Sequence, residues 1–314
     1  MWTLVISLRW SPMSASETSG LKAAILPERG VLRLSGPDMR AFLQGLVTNN
    51  VESAGPGEAI YSALLTPQGK FLFDFFIAED AEGRFLLDCE AGRAAALAKR
   101  LTMYKLRAKV EIENLTESHC VAALWDGEVA ATAPDEGALF PDPRLAALGT
   151  RAILPREDVA GFIASIGAEE ATPEAWHRHR IGLGVGDATH DYEAEKSFPL
   201  ELNLDELHGI DFKKGCYVGQ EVTSRTKRRG SVRKRLLPCA VKGAMMPAPG
   251  TPVKAGTREV GTVFSGDRKT GRVLALLRLD LLSGQTLDAN DATLVPEVPD
   301  WAGFSLEDSA NADE

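Results

Sequence analysis

Two apolar and aromatic runs, Ala59 to Thr66 and Lys70 to Ala78, lie on either side of Pro67-Gln68-Gly69. Proline presets one turn angle and glycine permits the next, so the pair predicts a β-hairpin. A third run, Arg84 to Cys89, follows the turn residues Asp80-Ala81-Glu82-Gly83. A chain with three neighbouring segments linked this way must build antiparallel sheet. Around it, Val31 to Leu34 reads as a strand and Ser35-Gly36-Pro37-Asp38 as a helix start. Met39, Phe42, Leu43 and Leu46 then recur at helical spacing up to Thr48-Asn49-Asn50. Ala91 to Tyr104 predicts a helix and Leu106 to Glu113 a return to strand. The mixture predicts an α+β fold with one lobe centred on 55–115.

His119 to Trp125 predicts another strand, closed by Asp126-Gly127. Ala131 to Arg144, rich in Pro, Asp and Ala, reads as a surface loop, and Arg156 to Ile166 as a helix. Thr172-Pro173-Glu174 opens a helix running to Ile181. Its His177 and His179 are two apart and point to different faces, which argues against a metal pair, and no metal site is expected. Gly182-Leu183-Gly184-Val185-Gly186 lacks the G-x-G-x-x-G spacing of a phosphate loop and reads as a turn. Arg229-Gly230 is expected to close a hairpin whose second strand runs from Val232 to Val241. Past that point short apolar runs alternate with Gly256, Gly266-Asp267 and Gly271, which predicts a small C-terminal β-barrel over 236–301.

A chain of 314 residues exceeds what one hydrophobic core serves well, in keeping with several compact units. Residues 1–20 read as a frayed extension, with Trp2 to Trp10 apolar but short, and 302–314 as a disordered acidic tail. No run reaches the roughly 20 apolar residues that span a bilayer, so no membrane partner is expected. A cytoplasmic location is expected, with the mitochondrial matrix as the alternative. The net charge of -9 argues against general nucleic-acid affinity. The exception is the acid-free segment Arg225, Lys227, Arg228, Arg229, Arg233, Lys234 and Arg235, which reads as a solvated hairpin or a patch for an acidic partner. It has no aromatic residue on which bases could stack, so an RNA-binding module ranks last among the readings.

Four widely spaced cysteines form no C-x-x-C pair, which suggests a reducing compartment and no self-contained cluster site. Cys89, Cys120 and Cys239 sit in apolar runs and are expected in the core. Cys216 differs. It lies in Lys214-Gly215-Cys216-Tyr217-Val218-Gly219-Gln220-Glu221, where two glycines permit a tight exposed turn. A neighbouring cation favours the reactive thiolate, and Lys214 is the candidate.

This run, followed by Arg225, resembles the signature K-G-C-F/Y-x-G-Q-E-x-x-x-R of the YgfZ family, folate-binding proteins that assist maturation of iron–sulfur enzymes. The similarity covers roughly Gly30 to Trp301 and extends to the related glycine-cleavage aminomethyltransferases. It implies aminomethyltransferase-like antiparallel α/β lobes over 21–235 enclosing a pocket for tetrahydrofolate. It also implies partners among the iron–sulfur assembly machinery or 4Fe–4S client enzymes, including radical enzymes that thiolate transfer RNA. By the same likeness Glu201, in Pro199-Leu200-Glu201-Leu202-Asn203, would hydrogen-bond the pterin with Asn203 beside it. Arg225 would order the Cys loop or pair with a ligand carboxylate, and Asp74 would stand where the transferases use an aspartate. Those enzymes carry an acidic pair there; here Phe73 replaces its first member, which counts against a true aminomethyltransferase, the alternative function.

Overall fold

The structure, a computed structural model, describes residues 20–230 and 232–306. All but residue 20 of the expected extension over 1–20 and most of the expected tail over 302–314 therefore lie outside the described residues. The chain divides into two compact units, one containing 20–177 and Asp187–Gly230, the other Arg178–Gly186 and 232–306.

In chain order the first unit begins with β1 (Lys22–Ile25), β2 (Arg29–Ser35) and α1 (Met39–Gln44). The predicted hairpin follows as β3 (Ile60–Leu65) and β4 (Phe71–Glu79), then β5 (Phe85–Glu90), α2 (Ala94–Lys105) and β6 (Glu111–Asn114). Next come β7 (His119–Trp125), β8 (Ala138–Pro141), β9 (Thr150–Pro155), α3 (Val159–Ser165) and β10 (Glu169–Glu170). The helices α4 (Pro173–Gly182), whose residues from Arg178 on belong to the second unit, α5 (Ala188–Asp191) and α6 (Gln220–Arg229) complete the run. Two five-stranded sheets result, ordered β3-β4-β5-β2-β6 and β10-β1-β7-β9-β8. All pairings are antiparallel except the short β1–β10 contact.

β4 is buried on both faces. The two-residue period of a strand sends Phe73, Phe75 and Ile77 into a core with Leu32, Leu34, Leu97 and Leu101. Asp74 and Phe76 point the other way, into a buried ionic layer. There the Asp88 carboxylate accepts hydrogen bonds from Arg29 Nε (2.6 Å) and from Arg151 Nε and Nη2 (2.8 and 2.6 Å). Arg144 donates to both oxygens of Asp142, and Arg151 approaches the same carboxylate at 3.6 Å. The guanidiniums of Arg29, Arg144 and Arg151 lie 5.8, 4.9 and 4.2 Å from the Phe76 ring centroid. Three arginines thus meet the two aspartates 88 and 142 in a water-poor space, and the charge of the neighbouring Asp74 is felt at Arg29.

The second unit holds β11 (Lys234–Lys242), β12 (Pro252–Ala255), β13 (Arg258–Asp267), β14 (Arg272–Arg278), β15 (Leu287–Ala289) and β16 (Ala292–Pro296). They close a barrel in the order β11-β14-β13-β12-β15-β16, so no edge strand is left open. Val253, Val263, Val273, Leu277 and Leu294 fill it. Phe304 and Leu306 pack against this core and Arg235 stacks on Phe304 at 4.7 Å. The first residues of the expected disordered tail are therefore ordered by apolar cover.

Three expectations fail locally. The segment 131–144 is not merely a surface loop, because β8 pairs with β9 and the following Asp142 and Arg144 are buried as an ion pair. Strand β6 starts only at Glu111, and Leu106 is exposed with φ +45. The basic segment does not form a hairpin at Arg229-Gly230. Its first part is α6, whose last turn holds Lys227, Arg228 and Arg229 and whose C-cap Gly230 is left-handed. Cations suit the negative end of a helix dipole, and a left-handed glycine ends helices readily.

Candidate functional site

The loop from His208 to Gly219 is stitched to the chain around Val47–Asn50. Thr48 Oγ1 donates to Gly209 O at 2.6 Å, Asp211 N to Thr48 O, and Asn49 Nδ2 to both Tyr61 O and His208 O. Lys214 Nζ donates to Val47 O and Asn49 O, each at 2.6 Å. Burial of that ammonium pulls its pKa down to about 8, against an opposing pull from Asp211. Lys214 makes no hydrogen bond to the Cys216 sulfur; its contacts make it an anchor of the loop rather than a cation aimed at the thiol.

At the other end of the loop Tyr217 is buried, its phenol pushed up to about 12 by burial. Gly219 is the left-handed N-cap of α6, with Gln220 and Glu221 in the first turn, where an acidic side chain favours the helix dipole. A Cβ on Gly219 would sit 2.6 Å from Thr66 O and 3.0 Å from Gly69 Cα; one on Gly69 would sit 2.9 Å from Val222 Cβ. The turn of the β3–β4 hairpin and the start of α6 therefore touch through two bare glycine backbones. Between these fixed ends Gly215, at φ +100, carries the chain through Cys216, the one exposed cysteine among the described residues. Cys89, Cys120 and Cys239 are buried as expected. We expect Gly219→Ala to destabilise the protein by at least about 2 kcal/mol, combining left-handed strain with the carbonyl clash. A denaturant titration showing less than half of that would mean the contact is loose.

His208 and residues 210–213 line a groove of about 440 Å³ with Asn49, Ser53, Ile60 and Pro143, a size typical of small-molecule sites. Asp74 lies elsewhere, in a narrow cleft with Phe73, Cys89, Glu90, Arg93 and Ala188 that shares no lining residue with that groove. Its Oδ2 accepts from Tyr61 Oη at 2.8 Å, whereas Oδ1 has no partner. Burial raises the Asp74 pKa, opposed by the charge of Arg29. The hydroxyl of Tyr192, whose ionisation burial and then the Asp74 charge oppose, is also buried without a partner. The segment carrying Glu201 runs beside the start of β4, since Phe71 N donates to Ser197 O and Glu195 N to Phe71 O. Glu201 Oε2 accepts from Phe198 N at 3.0 Å, a local cap that occupies one of its oxygens. Asn203 is buried at φ +62, and Arg225 is exposed on α6 with no ion-pair partner among the described residues. Among the described residues Arg225 makes no hydrogen bond to the Cys loop, which Lys214, Thr48 and Asn49 hold instead. The Thr48-Asn49 pair looked like a helix end in sequence, and only its run of side-chain amides and hydroxyls signalled a clamp.

The family of GCVT N-terminal domains matches residues 28–130 and that of the CAF17 C-terminal beta-barrel domain matches residues 233–304. The glycine cleavage system aminomethyltransferase T of Bartonella henselae shares the fold, with a TM-score of 0.73, 14% identity, and coverage of 90% of this chain and 87% of that one. The iron-sulfur cluster assembly factor IBA57 homolog, mitochondrial, of Mycosarcoma maydis is 36% identical over 270 residues. That alignment covers 81% of this chain but 64% of the relative, so the chain spans less than two thirds of its length. Mouse iron-sulfur cluster assembly factor IBA57, mitochondrial, is 34% identical over 306 residues, with 88% of this chain and 84% of the relative covered. By this likeness over nearly the whole described chain, the protein belongs to the IBA57 family.

Proposed function

We propose that the protein is a tetrahydrofolate-binding accessory factor for the assembly or repair of iron–sulfur proteins of the 4Fe–4S kind, acting through Cys216. The observation that carries this is a single exposed thiol held on a loop pinned at both ends. One thiolate, its proton lost to solvent, can hold one iron of a cluster in transit while a partner protein supplies the remaining ligands. The names of the relatives support the role in cluster assembly, and their designation as mitochondrial supports the matrix over the cytoplasm.

The orphaned Asp74 Oδ1 and Tyr192 hydroxyl would each gain a partner from a polar ligand, because a buried polar atom without a partner is costly, and the narrow cleft beside Asp74 would have to open to admit one. Bound tetrahydrofolate would supply a reduced pterin able to carry a one-carbon unit. Asp74 and the second oxygen of Glu201 would accept from its N–H groups, Asn203 would line the same segment, and Arg225 would meet its carboxylate tail. Calorimetry with tetrahydrofolate should show saturable binding that Asp74→Asn and Glu201→Ala each weaken at least tenfold, about 1.4 kcal/mol. No binding by the wild type, or affinity untouched by both changes, rejects the folate reading.

The same Asp74 also yields a stability test. An acid whose folded pKa is raised stabilises the fold fully below its unfolded value and loses that contribution as pH rises through the folded value. Asp74→Asn should therefore raise the thermal midpoint at pH 7, and the gain should shrink toward about pH 4. A methylene-transferring enzyme is the second reading, favoured by the open oxygen of Asp74; turnover with glycine-cleavage partner proteins would promote it above the first.

A further inference from the structure

We propose that Glu28, His177 and His190 form a binding site for a divalent transition metal of the zinc and ferrous-iron class. The three residues come from the β1–β2 turn, the first part of α4 and α5, and all three belong to the first unit. One ligand atom from each lies within 4.8 Å of the others. His177 Nε2 is 2.8 Å from Glu28 Oε1, and the His177 and His190 rings stand edge to face with centroids 4.7 Å apart.

Two imidazoles and one carboxylate are a borderline donor set that suits zinc or ferrous iron rather than calcium or magnesium, which prefer all-oxygen shells. With bonds of about 2.0–2.1 Å tetrahedral donors stand roughly 3.3 Å apart, so the Glu28–His177 pair would open by about half an ångström while His190, whose exposed side chain can move, would close toward both. The proton shared by His177 and Glu28 would leave to solvent as the metal takes both lone pairs. Three protein ligands leave a coordination position for water or a small ligand.

The surroundings agree. Asp187 and Glu174 add negative charge felt at Glu28, while the neighbouring Arg29 turns its guanidinium to Asp88. The bearing elements are fixed. Asp187 Oδ1 caps α5 through Thr189 N, Asp191 Oδ2 accepts from Asp187 N, and Glu28 O accepts from Ala91 N. Sequence spacing compared His177 only with His179, because Glu28 and His190 are distant in the chain.

The test uses the full chain with Cys216→Ser, so that the exposed thiol cannot bind metal. Titration with Co²⁺ should give one equivalent with visible ligand-field bands and no thiolate charge-transfer band, and Zn²⁺ should displace it. Glu28→Gln and His190→Ala should each weaken binding at least tenfold, with folded circular-dichroism spectra, whereas His179→Ala should not change it. Absence of saturable uptake, or wild-type affinity in both the Glu28 and His190 variants, overturns the proposal.

Discussion

Asp88→Ala is expected to destabilise the protein by about 3–5 kcal/mol, enough to lower its thermal midpoint by roughly 10 °C or more. The carboxylate is fully buried and receives three hydrogen bonds from Arg29 and Arg151, themselves almost wholly buried. Removing it leaves two buried guanidiniums with only the longer 3.6 Å contact of Arg151 to Asp142 as an ion pair, and most of their desolvation is no longer offset. Asp88→Asn keeps the shape but loses the charge, so it should cost nearly as much. Asp126→Ala removes a half-exposed pair with Lys22 and should change stability by less than about 1 kcal/mol. A midpoint for Asp88→Ala within two degrees of wild type would show that the ionic layer is not a stabilising element. Acid acts on the same layer. Burial opposes ionisation of Asp142, yet Arg144, by charge and hydrogen bond, and Arg151 hold its pKa below the ordinary range. Its contribution is therefore present above about pH 3.9, the unfolded value, and lost as pH falls through the lower folded one.

Cys216→Ala should abolish support of 4Fe–4S enzymes in a strain lacking the protein while leaving stability within about 0.5 kcal/mol of wild type. The two halves of this expectation have one cause. The thiol is exposed, so its loss leaves no cavity, and the loop is held by Lys214, Thr48 and the two apposed glycines rather than by the sulfur. Activity of client enzymes and the thermal midpoint, measured on the same variant, separate the chemical role from a structural one. Full rescue by Cys216→Ala would reject the role of the thiol. Loss of both activity and folding would reassign the residue to the scaffold.

The hairpin strands, the long helix and the barrel were legible because their signals are local. Pro67-Gln68-Gly69 marks a turn and β4 shows an apolar run interrupted by Asp74, and the strand over His119–Trp125 has the predicted bounds. The basic segment misled because seven like charges say nothing about backbone shape; Gly219 and Gly230, both left-handed, set the limits of α6. The site was only half legible. Cys216 stands out in sequence because glycine and polar residues surround it, and its exposure follows. The tether of Lys214 to Val47 and Asn49 joins positions more than 160 residues apart. The ionic layer beside Asp74 depends on how two sheets pair, which no spacing encodes.

The barrel unit is drawn from two separated pieces of chain, and this constrains the order in which it can be made. Residues 178–186 leave the ribosome some fifty residues before β11 and more than a hundred before Trp301, whose indole N–H bonds the carbonyl of Leu183 at 2.8 Å. Until then Arg180, Ile181 and Val185, all buried in the finished protein, await their cover. Synthesis therefore produces the motif-bearing segment first and finishes the barrel last, so a nascent chain stalled before Trp301 presents Cys216 without a completed C-terminal half.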